Sequence, residues 1–400
     1  MKTLTAYTTL TGDAARAAGE LAAQMDKDSL FAKYGVALAF CDPDDSAETA
    51  LAELANLLPF PVIGCTSIGL FHRQYGFTEP AVSVTVLAAD DCRFNIALSE
   101  PLTADNAASE LKRAYETARN ATRFRAKAVF ALSCPNPSIP IGRIADALSS
   151  ATGNDDAPVF GGLSTPNGVN NTVGVWYGGR FHTDRAAVLV LSGNCKPAFA
   201  SRTVMYHSGE QKRMVTKAEG NRVYKVGDAD FADYLRQCGL SFTKADIKKQ
   251  PFFFNVNPLS IEIPAQKKTS VQTIFGLDAD TGAGILPDRV PEGALVNLGI
   301  LRKIDIDASS RAAISDLLAL VKENEKDGYK YSSIFYLSSI SRYFALIPKH
   351  KENLKALFST APKDAVLSGF YAWGQFCPIP DKRGRNEPAT HSAAVTLMAL

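Results

Sequence analysis

The chain has 400 residues, which is too long for one small core, so we expect two domains or a pseudo-symmetric pair. Hydrophobic residues make up 46% and charged residues 21%, which is typical of a soluble globular protein and excludes extended disorder. Lysine and arginine number 43 against 41 acidic residues. Neither a long basic run nor an apolar stretch of roughly 18 residues occurs, so we expect neither a nucleic-acid partner nor membrane insertion.

The chain begins with Met1 to Thr5, which lack the apolar region of a signal peptide, so we expect a cytoplasmic protein. One building block then recurs three times, over residues 11 to 71, 103 to 168 and 309 to 376. Each copy has a helical stretch, a short apolar strand, a second helix and a glycine-centred turn. Such self-similarity indicates duplicated units, and the element order favours sheets that are covered by helices.

We therefore predict an α/β fold of internally repeated, layered helix-sheet units that form two pseudo-symmetric domains. The first domain, residues 1 to 205, contains two copies of the unit. The second, residues 206 to 400, contains a hairpin-rich segment followed by the third copy. In that segment Gly220 and Asn221 lie between strand residues and are typical of a hairpin turn. The run from 252 to 256 predicts a buried strand.

Seven cysteines are scattered along the chain without a Cys-x-x-Cys pair, which argues against a disulfide framework and a structural zinc site. Cys41, Cys65 and Cys134 lie in or beside the repeated segments. We interpret them as small hydrophobic residues of a reduced interior.

The glycine-bearing turns are the strongest candidates for a binding site, because glycine lets a backbone approach a ligand closely. Equivalent turns of a repeat also come together, and ligand pockets form at such junctions. Hydroxyl groups in the first turn and aromatic rings in the third suit a small polar ligand with an apolar part. The alternative is that the glycines only permit tight strand-to-turn geometry. The candidates from these turns are Gly64, Cys65, Thr66, Ser67, Gly161, Gly162, Ser164, Gly369, Tyr371, Trp373 and Gln375.

Two further polar positions follow the strand of the third copy, namely Ser339 and Arg342. A guanidinium directly after an apolar strand should lie at the strand mouth. It then requires a bidentate partner, either a ligand carboxylate or a protein acid. His350 lies in a Lys-His-Lys-Glu run and is interpreted as solvated. Neither a nucleophilic serine elbow nor a metal-binding cluster is present in the sequence.

Four passages of the chain match a known pattern in order and spacing. They are Val62 to Gly69, Val159 to Ser164, Val215 to Tyr224, and Leu367 to Gly374. Through them the chain resembles the FIST family, a bacterial and archaeal sensory module of signal transduction with an N-terminal and a C-terminal FIST domain. The resemblance covers nearly the whole length.

The chain departs from the family pattern at several positions. The acid that usually follows each Gly-x4-Gly turn is replaced by Leu70 and Gln375, and the usual cysteine of a Cys-x-x-Arg element by Ser339. Ser392 replaces the asparagine of a His-Asn pair, while His391 is kept. Some family members resemble haem-dependent nitric oxide sensors. The resemblance therefore makes His391 the candidate axial ligand if haem is bound.

The favoured interpretation is a cytoplasmic sensor, not an enzyme, that binds a small molecule such as an amino acid or related metabolite. The sequence contains no recognisable output segment, so we expect a separate signalling partner such as a histidine kinase or a cyclase. One alternative is a haem-binding nitric oxide sensor that regulates a histidine kinase. Another is a thiol-dependent enzyme of unknown substrate that uses Cys65 or Cys134.

Overall fold

The structure is a computed structural model that describes residues 1–10, 13–25, 32–42, 45–74, 76–79, 81–166, 172–207, 211–249, 253–380 and 386–400. Helices and strands alternate along most of the chain, so the predicted mixed α/β class is confirmed. Among the described residues, no helix is both long and apolar enough to cross a bilayer.

The first repeat packs two helices on a sheet. In α1 the buried residues Ala17, Ala18 and Leu21 recur at helical spacing, and Asp13 caps the helix by accepting a hydrogen bond from the amide of Arg16 (3.1 Å). The elements are β1 Lys2–Thr8, α1 Ala14–Gln24, β2 Tyr34–Cys41, α2 Asp45–Leu57, β3 Val62–Thr66, β4 Leu70–His72, β5 Gly76–Thr78 and β6 Val82–Ala89.

The second repeat has the same order of elements. Its helices bury one face each, with Leu111 and Tyr115 in α3 and Ile144 and Leu148 in α4, four residues apart in both cases. The elements are β7 Cys92–Leu98, α3 Ala107–Asn120, β8 Ala126–Ser133, α4 Ile141–Thr152, β9 Val159–Leu163, β10 Val175–Tyr177, β11 Arg180–His182 and β12 Ala186–Gly193.

The hairpin-rich segment forms a sheet of its own, for which nine strands are described. The predicted turn at Gly220 and Asn221 joins two of them, and Gly220 adopts a φ of 60°. The predicted strand at 252 to 256 is wrong where it is described, because Phe253–Val256 form a 3-10 helix; residue 252 lies outside the described residues. The elements are β14 Tyr206–His207, β15 Arg213–Glu219, β16 Arg222–Val226, β17 Ala229–Asp230, α5 Phe231–Gln237, α6 Lys244–Lys249, β18 Leu259–Ile263, β19 Lys268–Gln272, β20 Gly276–Leu277, β21 Gly284–Ile285 and β22 Leu295–Ile300.

The third repeat surrounds this segment, because its first strand precedes the segment and the rest follows it. That first strand is β13, Ala198–Thr203. The later elements are α7 Lys303–Lys326, β23 Ser333–Ser339, α8 Ile340–Leu346, α9 His350–Thr360, β24 Val366–Ala372, β25 Gln375–Phe376, β26 Ile379–Pro380, β27 Asn386–Glu387, β28 Thr390–His391 and β29 Ala394–Ala399.

The three repeats exchange hairpins around a ring. The sheet orders are β1-β6-β2-β3-β10-β11, β7-β12-β8-β9-β25-β28 and β13-β29-β23-β24-β4-β5. The hairpin after each glycine-bearing strand therefore pairs with the sheet of another repeat and not with its own. The first repeat extends the third sheet, the third repeat extends the second, and the second repeat extends the first. The ends of the glycine-bearing strands consequently meet at the centre of the ring.

One apolar core joins the inner faces of the three sheets. Phe40 of the first sheet stacks on Phe370 of the third with ring centroids 4.5 Å apart, and Phe130 of the second lies 6.2 Å from Phe335 of the third. These rings are fully buried. The core fixes the relative positions of the repeats and hence of the loops between them.

Candidate ligand-binding site

Three glycines hold the same position in the three sheets, in the middle of the second strand of each parallel pair. A Cβ atom added there would come within 2 Å of the facing carbonyl oxygen on the neighbouring strand. The distances are 1.6 Å for Gly64 and Ala39, 1.8 Å for Gly161 and Ala131, and 1.7 Å for Gly369 and Tyr336. These glycines are therefore required by close approach of backbone to backbone. The geometry favours the structural alternative of the sequence analysis at these positions.

The turns after the glycines come together at a buried junction that hydrogen bonds hold. The Ser67 hydroxyl lies 2.9 Å from the carbonyl oxygens of both Gly69 and Tyr371. Thr165 Oγ1 accepts a hydrogen bond from the amide of Ile68 (2.8 Å) and lies 3.3 Å from the Tyr371 carbonyl oxygen. Groups from all three repeats thus satisfy one another in the interior.

The other predicted turn residues pack around this junction. Thr66 Oγ1 accepts a hydrogen bond from the amide of Gly174 (3.2 Å), and the backbone of Gly162 pairs with Gln375. Cys65 and Ser164 are fully buried. Trp373 is partly buried, and its ring meets Phe275 edge-on at 5.2 Å. The sequence placed these residues together correctly, but they form a packed joint between repeats.

Arg342 is buried inside the third repeat, and its described hydrogen-bond partners are neutral. The guanidinium donates to Ser309 Oγ (3.0 Å), to Ser310 Oγ (2.5 Å) and to the Ile306 carbonyl oxygen (3.1 Å). Ser339 caps the helix α8 that carries Arg342 and contacts the Ser341 hydroxyl at 2.7 Å. None of these described partners is the bidentate carboxylate that was expected, because the side chain points back onto α7 and ties α8 to it.

A histidine that the sequence analysis placed in solvent lies in the interior. His350 is 6% exposed, and its Nδ1 lies 3.2 Å from the Tyr371 hydroxyl. Its ring stacks on Phe77 at 4.4 Å. Burial lowers the pKa of His350 to about 4, so the ring is neutral at pH 7. The helical spacing of His350 with Leu354 and Leu357 was a signal that could have indicated the buried face.

A large cavity of about 1320 Å³ lies away from the central junction. Its walls are the first turn of α4, the end of β13, parts of the nine-stranded sheet and the segment from 387 to 392. Among the predicted site residues, His391 lines this cavity. The charged residues that line it include both signs: Asp146, Arg202, Lys267, Asp288, Arg289 and Glu387.

Asp288 connects two walls of the cavity. Its carboxylate packs so closely on Gly142 that a Cβ there would lie 2.4 Å from Oδ2. It also accepts hydrogen bonds from the Thr390 hydroxyl (3.2 Å) and from the Arg289 amide (2.8 Å). Because Gly142 lies in the first turn of α4, the negative charge is favourably placed near the helix dipole.

His391 is held in one tautomer by its surroundings. Its Nε2 lies 2.9 Å from the Cys377 carbonyl oxygen, so Nε2 carries the proton and Nδ1 is left as an acceptor. Burial lowers the pKa of His391, which keeps the imidazole neutral. The neutral imidazole therefore lines the cavity together with carboxylates and cationic side chains.

The repeat ring and this cavity define an α/β protein with a ligand-sized space between its parts. The model of the FIST N domain matches residues 35–229, and that of the FIST C domain matches residues 231–378. The chain therefore belongs to the FIST family, whose domains are sensory domains of signal-transduction proteins. The cavity takes wall residues from both matched regions.

A crystal structure of cyanuric acid hydrolase from A. caulinodans is similar to this chain with a TM-score of 0.36 and 11% identity. The alignment covers 100% of this chain and 99% of that chain. No curated protein matches this chain by sequence.

Proposed function

We propose that this chain is a cytoplasmic sensory protein that binds a small molecule between its FIST N and FIST C regions. The observation that carries the proposal is the cavity of about 1320 Å³, to which both regions contribute walls. Binding pockets for small molecules are typically concave spaces of about 300 to 1000 Å³, so this space admits a metabolite together with ordered water.

The lining favours a zwitterionic ligand such as an amino acid or a related metabolite. Arg289 and Lys267 supply positive charge, and Asp146 supplies negative charge from α4. None of these three side chains forms an ion pair with another described residue. Ile141 and Val271 add apolar surface for a side chain of the ligand. Complementary charges on two walls would orient such a molecule.

Signalling would follow from the position of the cavity between two regions. A ligand that contacts α4 of FIST N and Arg289 of FIST C shifts their arrangement only if it binds one arrangement more tightly. A separate protein, such as a histidine kinase or a cyclase, would then bind the preferred arrangement of the two regions and transmit the signal.

The test is a thermal-shift screen of the purified chain against the common amino acids and their derivatives. A ligand that binds the native state must raise Tm, and the rise must grow with its concentration. Arg289→Gln and Asp146→Asn should each reduce the shift at least severalfold. Lys112→Gln, on the exposed face of α3, is the matched control and should leave it unchanged. A shift that is equal in all three variants would place the ligand elsewhere and overturn the proposal.

Haem is less well supported than a metabolite. The Nε2 atom of His391 is taken by the Cys377 carbonyl oxygen, and the surrounding wall carries charged side chains rather than a broad apolar slot for a porphyrin. A Soret band that appears after haem reconstitution and disappears in His391→Ala would favour haem over a metabolite as the ligand.

The two cysteines considered for a thiol-dependent enzyme are poorly suited to nucleophilic attack. Burial raises the pKa of Cys65 well above its usual value and that of Cys134 to about 11. A thiol that stays protonated at neutral pH is a weak nucleophile. We therefore propose binding rather than catalysis at the repeated segments.

A further inference from the structure

Two cysteines that are distant in sequence lie side by side at one end of the second sheet. Cys92 begins β7, and its register partner on β12 is Gly193, two residues before Cys195. The Asn194 amide donates to the Asp91 carbonyl oxygen (3.0 Å), and Cys92 Sγ donates to the Asn194 carbonyl oxygen (3.3 Å). The backbone thus holds the Cys92 thiol against the residue that precedes Cys195.

Both thiols line a second cavity, of about 350 Å³. The other residues around it include Asp91, Lys196 and Tyr331. This space gives a small polar reagent access to side chains that are otherwise nearly buried. Cys65 and Cys377 differ in this respect, because both are fully buried and neither lines this cavity.

The two thiols differ in acidity. The neighbouring Cys195 thiol lowers the pKa of Cys92. The proximity of Cys92, together with burial, raises the pKa of Cys195. Cys92 is therefore the thiol that loses its proton first, and the thiolate is the nucleophilic form.

We propose that Cys92 and Cys195 form a redox-active pair that a hydroperoxide oxidises to a disulfide. The Cys92 thiolate attacks the terminal oxygen of the hydroperoxide, the O–O bond breaks, and the leaving oxygen is protonated to water or an alcohol. Cys92 becomes a sulfenic acid. The Cys195 sulfur then attacks the Cys92 sulfur and releases water, with the thiol proton transferred to the departing hydroxide. Two thiols lose two electrons, and the peroxide is reduced.

The pair lies where the chain passes from the second sheet to the third. Cys195 precedes Lys196, whose ammonium contacts Asp327 at 3.1 Å and whose carbonyl oxygen accepts a hydrogen bond from the Tyr331 hydroxyl (2.6 Å). A disulfide at Cys195 therefore constrains a connection that also contacts the end of α7.

The test is a peroxide titration of the purified, fully reduced chain, followed by differential alkylation and peptide mapping. We expect the loss of two of the seven thiols and one linked peptide pair that contains Cys92 and Cys195, reversible by dithiothreitol. Cys195→Ser should instead accumulate a dimedone adduct at Cys92. Cys92→Ser should abolish the link.

Cys377→Ser is the matched control, because it removes a buried thiol outside this cavity and should leave the link intact. Peptide mapping of the peroxide-treated wild-type chain tests for the Cys92–Cys195 disulfide even if a variant does not fold. The proposal is overturned if peroxide oxidises other cysteines first, or if no Cys92–Cys195 peptide forms.

Discussion

The three exchanged hairpins occupy equivalent edges of three similar sheets, yet they differ in length. Strand β4 ends at His72 and β5 begins at Gly76, while β10 ends at Tyr177 and β11 begins at Arg180. In the third hairpin, β25 ends at Phe376 and β28 begins only at Thr390, with the short pair β26–β27 between them. The two short hairpins pair with the edge of another repeat's sheet. The segment that ends the long hairpin also forms a wall of the large cavity.

A repeated motif therefore need not repeat a function. The glycine positions are alike in all three copies because each copy needs the same close strand contact. The variable part is the hairpin that follows. The binding site is therefore expected where one copy departs from the others.

The largest effect is expected for Gly369→Ala. The new Cβ would lie 1.7 Å from the Tyr336 carbonyl oxygen in the middle of a parallel strand pair, so the strands must separate. We expect destabilisation of more than about 4 kcal/mol, or no folding, in urea denaturation. Gly19→Ala is the control, because nothing lies within 4 Å and the helix α1 should gain about 0.5 to 1 kcal/mol. Equal stability of the two variants would disprove the structural role of the glycine.

The next effect concerns the hydrogen bonds of the joint. Ser67→Ala removes the hydroxyl that lies 2.9 Å from the Gly69 and Tyr371 carbonyl oxygens, and it removes the acceptor of the buried Gly69 amide (3.3 Å). We expect a loss of about 1 to 3 kcal/mol in unfolding free energy.

A matched control for that variant lies in β6. The Ser83 hydroxyl is equally buried and has no hydrogen-bond partner among the described residues, so Ser83→Ala should be nearly neutral. A similar loss in both variants would show that the packing, rather than the hydrogen bonds, matters at Ser67.

The buried histidines make stability depend on pH. Burial lowers the pKa of His72 and of His350 to about 4, below the usual 6.5. Between these values the unfolded chain binds more protons than the folded one, so stability is complete above pH 6.5 and falls as pH decreases toward 4. The slope is at most about 1.4 kcal/mol per pH unit for each proton.

His350→Phe keeps the ring contact with Phe77 and removes one titrating group, so the acid-induced loss of stability should become less steep. Denaturation at several pH values measures this slope. An unchanged dependence of the unfolding free energy on pH would mean that protonation of His350 is not coupled to unfolding.

The smallest effect is expected at the cavity wall. Asp288→Asn removes a negative charge beside the first turn of α4 and should destabilise the chain by about 0.3 to 1 kcal/mol. Asp280→Asn, at an exposed turn position between β20 and β21, should change stability less. If Asp288→Asn lowered the unfolding free energy as much as Ser67→Ala, the cavity wall would matter as much for stability as the junction between the repeats.

Part of this architecture follows from the sequence. The spacing of Gly64, Gly161 and Gly369 predicted three related units whose turns meet, because a repeat places equivalent loops alike. The hairpin at Gly220 and Asn221 was recognisable from turn chemistry alone.

Other features depend on contacts that a linear pattern does not encode. The exchange of hairpins was not predicted, because the apolar residues of β4 suit the edge of either the first or the third sheet. His350 appeared accessible, since charge in a local run indicates solvent, and Arg342 was expected to meet a protein acid or a ligand carboxylate. Tertiary packing instead encloses both side chains among neutral partners. The large cavity arises between residues such as Gly142 and Asp288, whose proximity only the fold creates.

The exchange of hairpins also bears on synthesis of the chain. Ser67 and Tyr371 are hydrogen-bonded although 304 positions separate them, and β4 must pair with β24 of the third repeat. During translation the first hairpin therefore emerges long before its docking partner exists. Until the third repeat has been made, its edge stays exposed, and we expect nascent or truncated forms to depend on chaperones that shield unpaired strands.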